Sequence, residues 1–187
     1  IKGTVSILNK AANDESRFIF ASTCAIYGGD LSLYSTSKSV GEKLCQQYKE
    51  FGLKSTIFRL SNVYGQGDQK GILYKIEKAA REMGVINLIG DGTNFRNYVH
   101  VEDVVSALVS DNRDNIFDIK TDDYYTVKDL ISKITEVQTK NVKMEVGHNY
   151  SITPGIQNNI IQNWIPKHKL IDYIEEINQR IDDFVPF

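Results

Sequence analysis

The feature that most constrains the fold is an alternation of short apolar runs with stretches of helical periodicity. Residues 17–21 (RFIFA) and 55–60 (STIFRL) are largely apolar runs, which are typical of strands buried on both faces. Between them, residues 34–51 carry an apolar stripe that ends at Phe51, directly before Gly52, and this pattern predicts a helix. Strands that alternate with helices favour an α/β fold with a parallel sheet covered on both faces.

The remaining elements continue this alternation until the last third of the chain. The periodicity predicts further helices at 3–13, 102–110 and 167–184. Another helix follows the glycine-rich loop Gly65–Gly71 and ends at about Met83. One more begins at Thr126, where Asp129 completes a capping box. The sequence predicts further strands at 85–89, 98–101, 115–119 and 142–146. Because the alternation is lost in the last third, we expect that part to form an appended lobe.

Composition excludes several classes of function. The 187 residues carry 22 Lys+Arg against 24 Asp+Glu, so neither nucleic acid nor an anionic membrane surface is an expected partner. No apolar run approaches the ~18 residues that a membrane span needs, and no secretory leader is recognisable. The two cysteines, like His100, His148 and His168, share no metal-ligand spacing. We therefore expect a cytoplasmic protein without a metal site.

Two hydroxyl side chains and a Tyr–Lys pair are the candidate catalytic groups. The first predicted strand stops at Ser22 and Thr23, which places both at a carboxyl strand end, where open α/β sheets bind ligands. Tyr34 and Lys38 are four residues apart and therefore share one face of a helix. A nearby ammonium favours the phenolate form of a tyrosine, so Tyr34 is a candidate general acid/base.

Four segments in order carry a resemblance to a known family. They are FIFASTCAIYG (18–28), YSTSK (34–38), STIFRLSNVYG (55–65) and GDGTNFRNYVHVEDV (90–104). Together they resemble the extended short-chain dehydrogenase/reductase family, in particular its nucleotide-sugar epimerases and dehydratases. The resemblance covers about residues 1–120. It implies a partial Rossmann-like, doubly wound parallel sheet with a small α/β substrate lobe, NAD or NADP as cofactor, and a nucleotide-sugar substrate.

The resemblance also implies roles for individual residues. Tyr34 resembles the family's catalytic acid/base, and Lys38 resembles the lysine that acidifies it and holds the nicotinamide ribose. Thr23 resembles the hydroxyl residue that polarises the reacting sugar position, and Ser22 a neighbour of the cofactor.

Two further residues match positions at the substrate. Asn62 resembles the asparagine at the rim of the nicotinamide and substrate pocket. Arg96 resembles the arginine that contacts the nucleotide diphosphate, a role that suits its planar, permanent cation. The glycines of the Gly65–Gly71 loop do not fit GxGxxG, so we interpret this loop as a substrate-side loop.

Two departures from the family pattern qualify these expectations. The glycine-rich cofactor turn is missing and should precede Ile1, so the chain reads as an N-terminally incomplete segment. Residues 1–66 and 97–120 would form a partial dinucleotide-binding core, and residues 67–96 and 121–187 the substrate lobe. In addition, Cys24 and Ala25 stand where the family's 4,6-dehydratases typically have Asp and Glu. Their presence argues against dehydration, and we expect Cys24 to be a buried, inert thiol.

The expected function is an NAD(P)-dependent nucleotide-sugar epimerase or reductase that transfers hydride, with Tyr34 moving the proton. One alternative is a non-catalytic remnant or binding module of the same fold. A third hypothesis is an enzyme acting on a non-nucleotide carbonyl, against which Arg96 argues. By analogy with relatives, helices 3–13 and 34–51 could pair in a homodimer.

Overall fold

The structure is a computed structural model that describes residues 1–28, 32–82, 86–89, 92–110, 114–134, 142–145, 160–161 and 163–184. The helices are α1 (Lys2–Asn13), α2 (Leu33–Glu50), α3 (Ile72–Arg81), α4 (Val101–Ser110), α5 (Val127–Ile134) and α6 (Leu170–Asp182). The strands are β1 (Phe18–Thr23), β2 (Ser55–Leu60), β3 (Asn62–Tyr64), β4 (Ile86–Ile89), β5 (Phe95–His100), β6 (Ile116–Ile119), β7 (Tyr124–Thr126) and β8 (Val142–Glu145). A 3₁₀ turn, Cys24–Gly28, follows β1.

The central element is a parallel sheet with the strand order β1-β2-β6. Thr23 at the end of β1 pairs with Leu60 at the end of β2, so the carboxyl ends of these strands meet at one edge. The parallel sheet predicted from the apolar runs is therefore confirmed. Within the described residues, β1 and β6 are the outer strands of this sheet. Ile19 on β1 is 42% exposed, so the prediction that β1 is buried on both faces was wrong.

Helices cover this sheet on both faces. Ile57 and Phe58 are neighbours on β2 and point to opposite faces. Ile57 packs in one core with Leu8 of α1 and Cys45 of α2. Phe58 packs in another with residues of α4 and β6, including Ala107. Burial on both faces explains why β2 reads as a continuous apolar run rather than an alternating one.

A third core lies outside the central sheet. It brings together the apolar faces of α3, α5 and α6, and its buried members are Tyr64, Leu73, Ile76, Tyr98, Val127, Leu130, Ile131, Ile134, Leu170, Ile174 and Ile177. The small sheet β3-β5-β7 supplies Tyr64 and Tyr98. In this sheet β3 runs parallel and β7 antiparallel to β5. β4 and β8 form a separate parallel pair.

Several predicted boundaries were wrong. The three-residue strands β3 and β7 were not predicted, because so short a stretch has no readable period. The strand predicted at 98–101 is longer at its start and ends at His100, and Val101 already begins α4. Phe51, assigned to the apolar stripe of α2, is 87% exposed. Leu44 and Tyr48 of the predicted stripe do pack against the core, partly buried. The fully buried positions of α2, which include Gly41, Glu42 and Cys45, lie beside that stripe.

The capping box predicted at the start of α5 is confirmed. Asp129 N–H donates to Thr126 Oγ1 at 3.0 Å, and Thr126 N–H donates back to Asp129 Oδ2 at 2.9 Å. The Thr126 hydroxyl, which donates to Asp129 Oδ2 at 2.7 Å, and then the Thr126 N–H lower the pKa of Asp129 below its ordinary value. Met83, Val85 and Val146, which the sequence assigned to element ends, lie outside the described residues. None of the helices in the described part of the chain is long and apolar enough to cross a bilayer.

We expect Gly65→Ala to destabilise the fold more than Gly67→Ala does. Both glycines have positive φ, +149° and +88°, so alanine at either costs about 1–3 kcal/mol of backbone strain. A Cβ on Gly65 would also lie 2.7 Å from Val101 Cγ1, whereas one on Gly67 would meet nothing within 4 Å. That contact should add about 1–3 kcal/mol. Urea unfolding of both variants measures the difference, and equal losses would contradict the packing argument.

Candidate active site

A cleft of about 540 Å³ opens at the carboxyl ends of β1 and β2. Its walls include four of the six residues predicted for the site, which are Thr23, Tyr34, Asn62 and Arg96. Ser22 and Lys38, the other two, are not among the residues that line it. Thr23 ends β1 and Asn62 comes two residues after the end of β2, so the parallel sheet brings these two to one edge. Tyr34 comes from the first turn of α2 and Arg96 from β5.

Tyr34 and Lys38 lie on the same face of α2, as their spacing predicted. Tyr34 is 56% exposed at the mouth of the cleft. Lys38 Nζ lies 5.9 Å from the centroid of the Tyr34 ring and donates a hydrogen bond to Ala21 O at 2.8 Å. An ammonium has three donors, so Lys38 retains donors for a ligand while it ties α2 to β1.

Thr23 presents its hydroxyl to the same cleft. The residue is buried, and its Oγ1 accepts a hydrogen bond from Ala25 N–H at 3.2 Å. Because the oxygen is used as an acceptor here, the O–H hydrogen is available to donate. Thr23 can therefore donate a hydrogen bond to an oxygen of a molecule that also reaches Tyr34.

The Ser22 side chain is held inside the protein by Glu42. Ser22 Oγ donates to Glu42 Oε1 at 2.5 Å, and both residues are buried. Glu42 also accepts hydrogen bonds from Arg59 Nη2 at 2.6 Å and Arg59 Nε at 3.0 Å. The Glu42 carboxylate raises the pKa of Arg59 above its usual range. This buried ion pair connects α2, which carries Tyr34 and Lys38, to β1 and β2.

The network continues to the last strand of the central sheet. Arg59 Nη1 donates to Tyr27 Oη at 2.6 Å, and Tyr27 Oη donates to Asp118 Oδ1 at 2.7 Å. Burial, and then the bond to Asp118, raise the pKa of Tyr27 to about 12. Burial and the Asp118 charge raise the pKa of the Cys24 thiol to about 12. The prediction that Cys24 is a buried thiol is therefore confirmed.

The sequence analysis missed this network, although it contained two signals. Glu42 follows Tyr34 and Lys38 at the same four-residue step, so it shares their face of the helix. Arg59 interrupts an otherwise apolar strand, and a cation in a buried strand needs a partner.

The opposite wall of the cleft is rich in cations. Among the described residues that line the cleft, Lys70, Lys75 and Arg96 carry positive charge and Asp68 carries negative charge. Asp68 is itself used in the loop, where its Oδ1 accepts hydrogen bonds from the N–H groups of Lys70 and Gly71. This wall therefore favours an anionic ligand.

Asn62 lines the cleft and is held in place by β5. It begins β3, and its Nδ2 donates to Asn97 O on β5 at 2.9 Å. This hydrogen bond fixes the amide plane, which leaves the Asn62 carbonyl oxygen as an acceptor for a ligand.

A cluster of aromatic and imidazole rings lies next to the cleft wall. The rings of Tyr64 and His100 have centroids 5.2 Å apart, and those of His100 and His168 are stacked at 4.2 Å. Burial, and then the charge of His168, lower the pKa of His100. Spacing along the chain could not reveal this cluster, because 68 positions separate the two histidines.

Asp103 holds the segment that carries His168. Its carboxylate accepts hydrogen bonds from Lys167 N–H at 2.9 Å and His168 N–H at 3.0 Å. Burial alone would raise the pKa of Asp103, but these two hydrogen bonds and the neighbouring imidazole lower it below its ordinary value.

Two relatives match parts of the sequence. The UDP-N-acetyl-alpha-D-glucosaminuronate decarboxylase of Bacillus cytotoxicus is 28% identical over 168 residues, covering 76% of this chain and 52% of that protein. A putative UDP-glucose 4-epimerase of Methanocaldococcus jannaschii is 34% identical over 128 residues, covering 57% of this chain and 42% of that protein. The chain thus spans about half the length of these relatives.

The fold resembles that of a solved enzyme, and the sequence matches a family profile. The dTDP-glucose 4,6-dehydratase of Bacillus anthracis, solved in complex with NAD, superimposes with a TM-score of 0.82 and 24% identity over 96% of this chain and 66% of that one. The profile of the NAD dependent epimerase/dehydratase family matches residues 1–114, which include Thr23, Tyr34, Lys38 and Arg96. With the parallel sheet, the Tyr–Lys pair and this profile in agreement, the chain belongs to the NAD dependent epimerase/dehydratase family.

Proposed function

We propose that the protein containing this chain oxidises and reduces a sugar carbon of a nucleotide sugar, as an epimerase or a reductase, with NAD or NADP as cofactor. One observation carries this proposal: Thr23, Tyr34, Asn62 and Arg96 line a single cleft. A proton-transferring phenol and a permanent cation therefore face one ligand. The two relatives whose names include UDP-sugars supply the substrate class.

The described residues fit the nicotinamide-ribose half of the cofactor. Lys38 keeps free donors beside Tyr34 at the end of β1, and paired ribose hydroxyls need such donors. Tyr34, Lys38 and Asn62 would hold this half, with the main chain of Ser22 beside it because the Ser22 hydroxyl is engaged by Glu42. When bound, the nicotinamide accepts or returns a hydride.

In this proposal Tyr34, Lys38 and Thr23 act together on one hydroxyl group of the sugar. Tyr34 Oη takes the proton from the reacting hydroxyl when the sugar is oxidised and returns it when the ketone is reduced. Lys38 stabilises the phenolate during this exchange. Thr23 donates a hydrogen bond to the reacting sugar oxygen and holds it next to Tyr34.

The residues after β1 favour epimerisation or reduction over dehydration. Removing water from a sugar requires an acid for the leaving hydroxyl and a base for the carbon-bound proton. Cys24, which follows Thr23, is a buried thiol that donates to Arg59 O, and Ala25 has no ionisable group. Neither residue can perform these steps.

Arg96 is proposed to bind the diphosphate of the substrate. A guanidinium forms paired, charge-assisted hydrogen bonds with phosphate oxygens. Lys70 and Lys75 lie on the same wall and add to the positive potential there. A nucleoside diphosphate bound along this wall would direct its sugar toward Thr23 and Tyr34.

We expect Arg96→Gln to weaken UDP binding about 10- to 100-fold, because a hydrogen bond to a charged group contributes about 1.5–3 kcal/mol. Calorimetric titration with UDP measures this loss, and NADH fluorescence titration of the same samples tests the cofactor. Arg180→Gln is the matched control, since Arg180 pairs with Glu77 on α3 rather than with the cleft. Unchanged UDP affinity in Arg96→Gln would contradict the substrate assignment. Absence of NADH binding would favour the non-catalytic alternative.

The proposal includes a homodimer and a cytoplasmic location. Helices α1 and α2 lie side by side, with Tyr48 Oη donating to Asn9 Oδ1 at 2.5 Å. Ile7 on α1 and Phe51 after α2 are exposed, which supports a contact between copies through these helices.

Cys24 and Cys45 are both free thiols, as suits a reducing compartment.

The division into two units also stays a proposal. It assigns residues 1–66 and 97–120 to the cofactor-binding core, and residues 67–96 and 121–187 to the substrate lobe. The separate core formed by α3, α5 and α6 supports it. Tyr64 and Tyr98 belong to that core as well, so the two proposed units share the strands β3 and β5.

A further inference from the structure

Three metal-ligating side chains converge behind the cleft. One ligand atom each from His100, Glu102 and His168 lie within 4.8 Å of one another. His100 ends β5, Glu102 lies in the first turn of α4, and His168 lies two residues before the start of α6. Three separate segments therefore bring two imidazoles and one carboxylate to a single point.

We propose that His100, Glu102 and His168 form a binding site for a divalent transition metal ion of the zinc type. Two histidines and one carboxylate are a ligand set that binds such ions with positions left for water. Neutral nitrogen ligands do not suit magnesium or calcium, which prefer oxygen. The ligand chemistry therefore selects zinc or its neighbours in the first transition series.

His168 is already oriented for metal binding. Its Nε2 lies 3.2 Å from Glu102 Oε2, and its Nδ1 lies 3.2 Å from Asp103 Oδ1. A metal-bound histidine usually directs its second nitrogen to a carboxylate, which fixes the ring. Asp103 is placed for that role, because it also binds the main-chain N–H groups of Lys167 and His168. Nε2 is thus the nitrogen directed toward the proposed ion.

His100 joins this site by turning its ring out of the stack with His168, whose centroid lies 4.2 Å away. Its Nδ1 accepts one long hydrogen bond, 3.3 Å, from Glu102 N–H. A metal–nitrogen bond easily replaces so long a hydrogen bond. The Tyr64 ring packs edge-on against His100, so the imidazole is supported from the side of the cleft.

The cluster is open enough for an ion to enter. The Glu102 side chain is 72% exposed and that of His168 is 38% exposed. Solvent therefore reaches the point where the three ligands meet. The buried cysteines Cys24 and Cys45 do not compete for zinc in the folded protein.

A bound ion would connect two parts of the molecule. His100 and Glu102 belong to the junction between β5 and α4, whereas His168 belongs to the segment that leads into α6. Through Tyr64, the same ion would lie behind a wall of the cleft. We therefore expect zinc to stabilise the fold by linkage, since only the folded chain assembles the three ligands.

Zinc titration of chelator-treated protein tests this site. Calorimetry is expected to give one zinc ion per chain. Cobalt should bind at the same stoichiometry and give the strong visible absorption of a site with fewer than six ligands. Glu102→Gln, His100→Gln and His168→Gln should each weaken zinc binding at least about 10-fold, as loss of even a supporting residue commonly does.

His148→Gln is the matched control, because it removes the same imidazole from the histidine that is not one of the three proposed ligands. It should bind zinc as the parent chain does. Glu102→Gln alters an exposed side chain, so its fold, checked by circular dichroism, should be intact. If the parent chain binds no zinc, or if Glu102→Gln and His168→Gln bind it as tightly as the parent does, the proposal is overturned. Loss of binding in His148→Gln alone would also overturn it.

Discussion

Tyr34→Phe is expected to lower turnover of the full-length protein by about 10²- to 10⁴-fold, the contribution typical of a general acid/base. The substitution removes one oxygen atom from an exposed side chain at the mouth of the cleft. The fold and the binding of UDP should therefore be unchanged. Steady-state kinetics with UDP-sugars and NAD measures the loss, which should fall on kcat rather than KM.

Tyr48→Phe is the matched control for this experiment. It removes the same hydroxyl from the same helix, where Tyr48 Oη donates to Asn9 on α1 instead of facing the cleft. Its turnover should stay close to that of the parent protein. Full activity in Tyr34→Phe would refute the assigned proton transfer, and equal losses in both variants would point to a general effect on α2.

Glu42→Ala is expected to lower the free energy of unfolding by about 3–5 kcal/mol. The Arg59 guanidinium, whose side chain is only 18% exposed, would lose its carboxylate, and Ser22 Oγ would lose its acceptor. A buried charge without a partner is far less favourable than a pair. Urea denaturation measures the loss.

Two further variants distinguish the contribution of the Glu42–Arg59 ion pair from a general effect of substitution on α2. Glu50→Ala makes the same change at an exposed position of α2 and should change stability by no more than about 0.5 kcal/mol. The double variant Glu42→Leu with Arg59→Met removes both charges and should regain most of the loss. If Glu42→Ala were no less stable than Glu50→Ala, the pair would not contribute to the fold.

The regular parts of the fold were predictable because their periodicity is strong. A strand buried on both faces favours an apolar run, and the centre of β2, with Ile57 and Phe58 buried on opposite faces, carries that pattern in the sequence. The similar run in β1 was misleading, because Ile19 is exposed. The short strands β3 and β7 were not predictable, since their pairing with β5 depends on residues far along the chain. For Phe51 the sequence predicted burial that the fold does not provide. Its spacing extends the apolar stripe of α2, but the residue is exposed.

The candidate site was predictable only where its residues are local. Tyr34 and Lys38 face each other because four residues make one turn, and Thr23 ends a strand that the sequence marks clearly. Glu42, Arg59 and Asp118 come from three different elements, and only the folded sheet brings them together. The two stacked histidines are a further case, since their proximity depends on how Asp103 anchors the segment before α6.

The position of β1 at the border of its sheet has a practical consequence. A border strand presents main-chain amides and carbonyls that can pair with any other extended peptide. Here Ile19 adds an apolar side chain to that border, and no proline or lysine interrupts residues 18–23. When this 187-residue chain is produced alone, we therefore expect it to self-associate as its concentration rises. A lysine at position 19 should keep it dispersed.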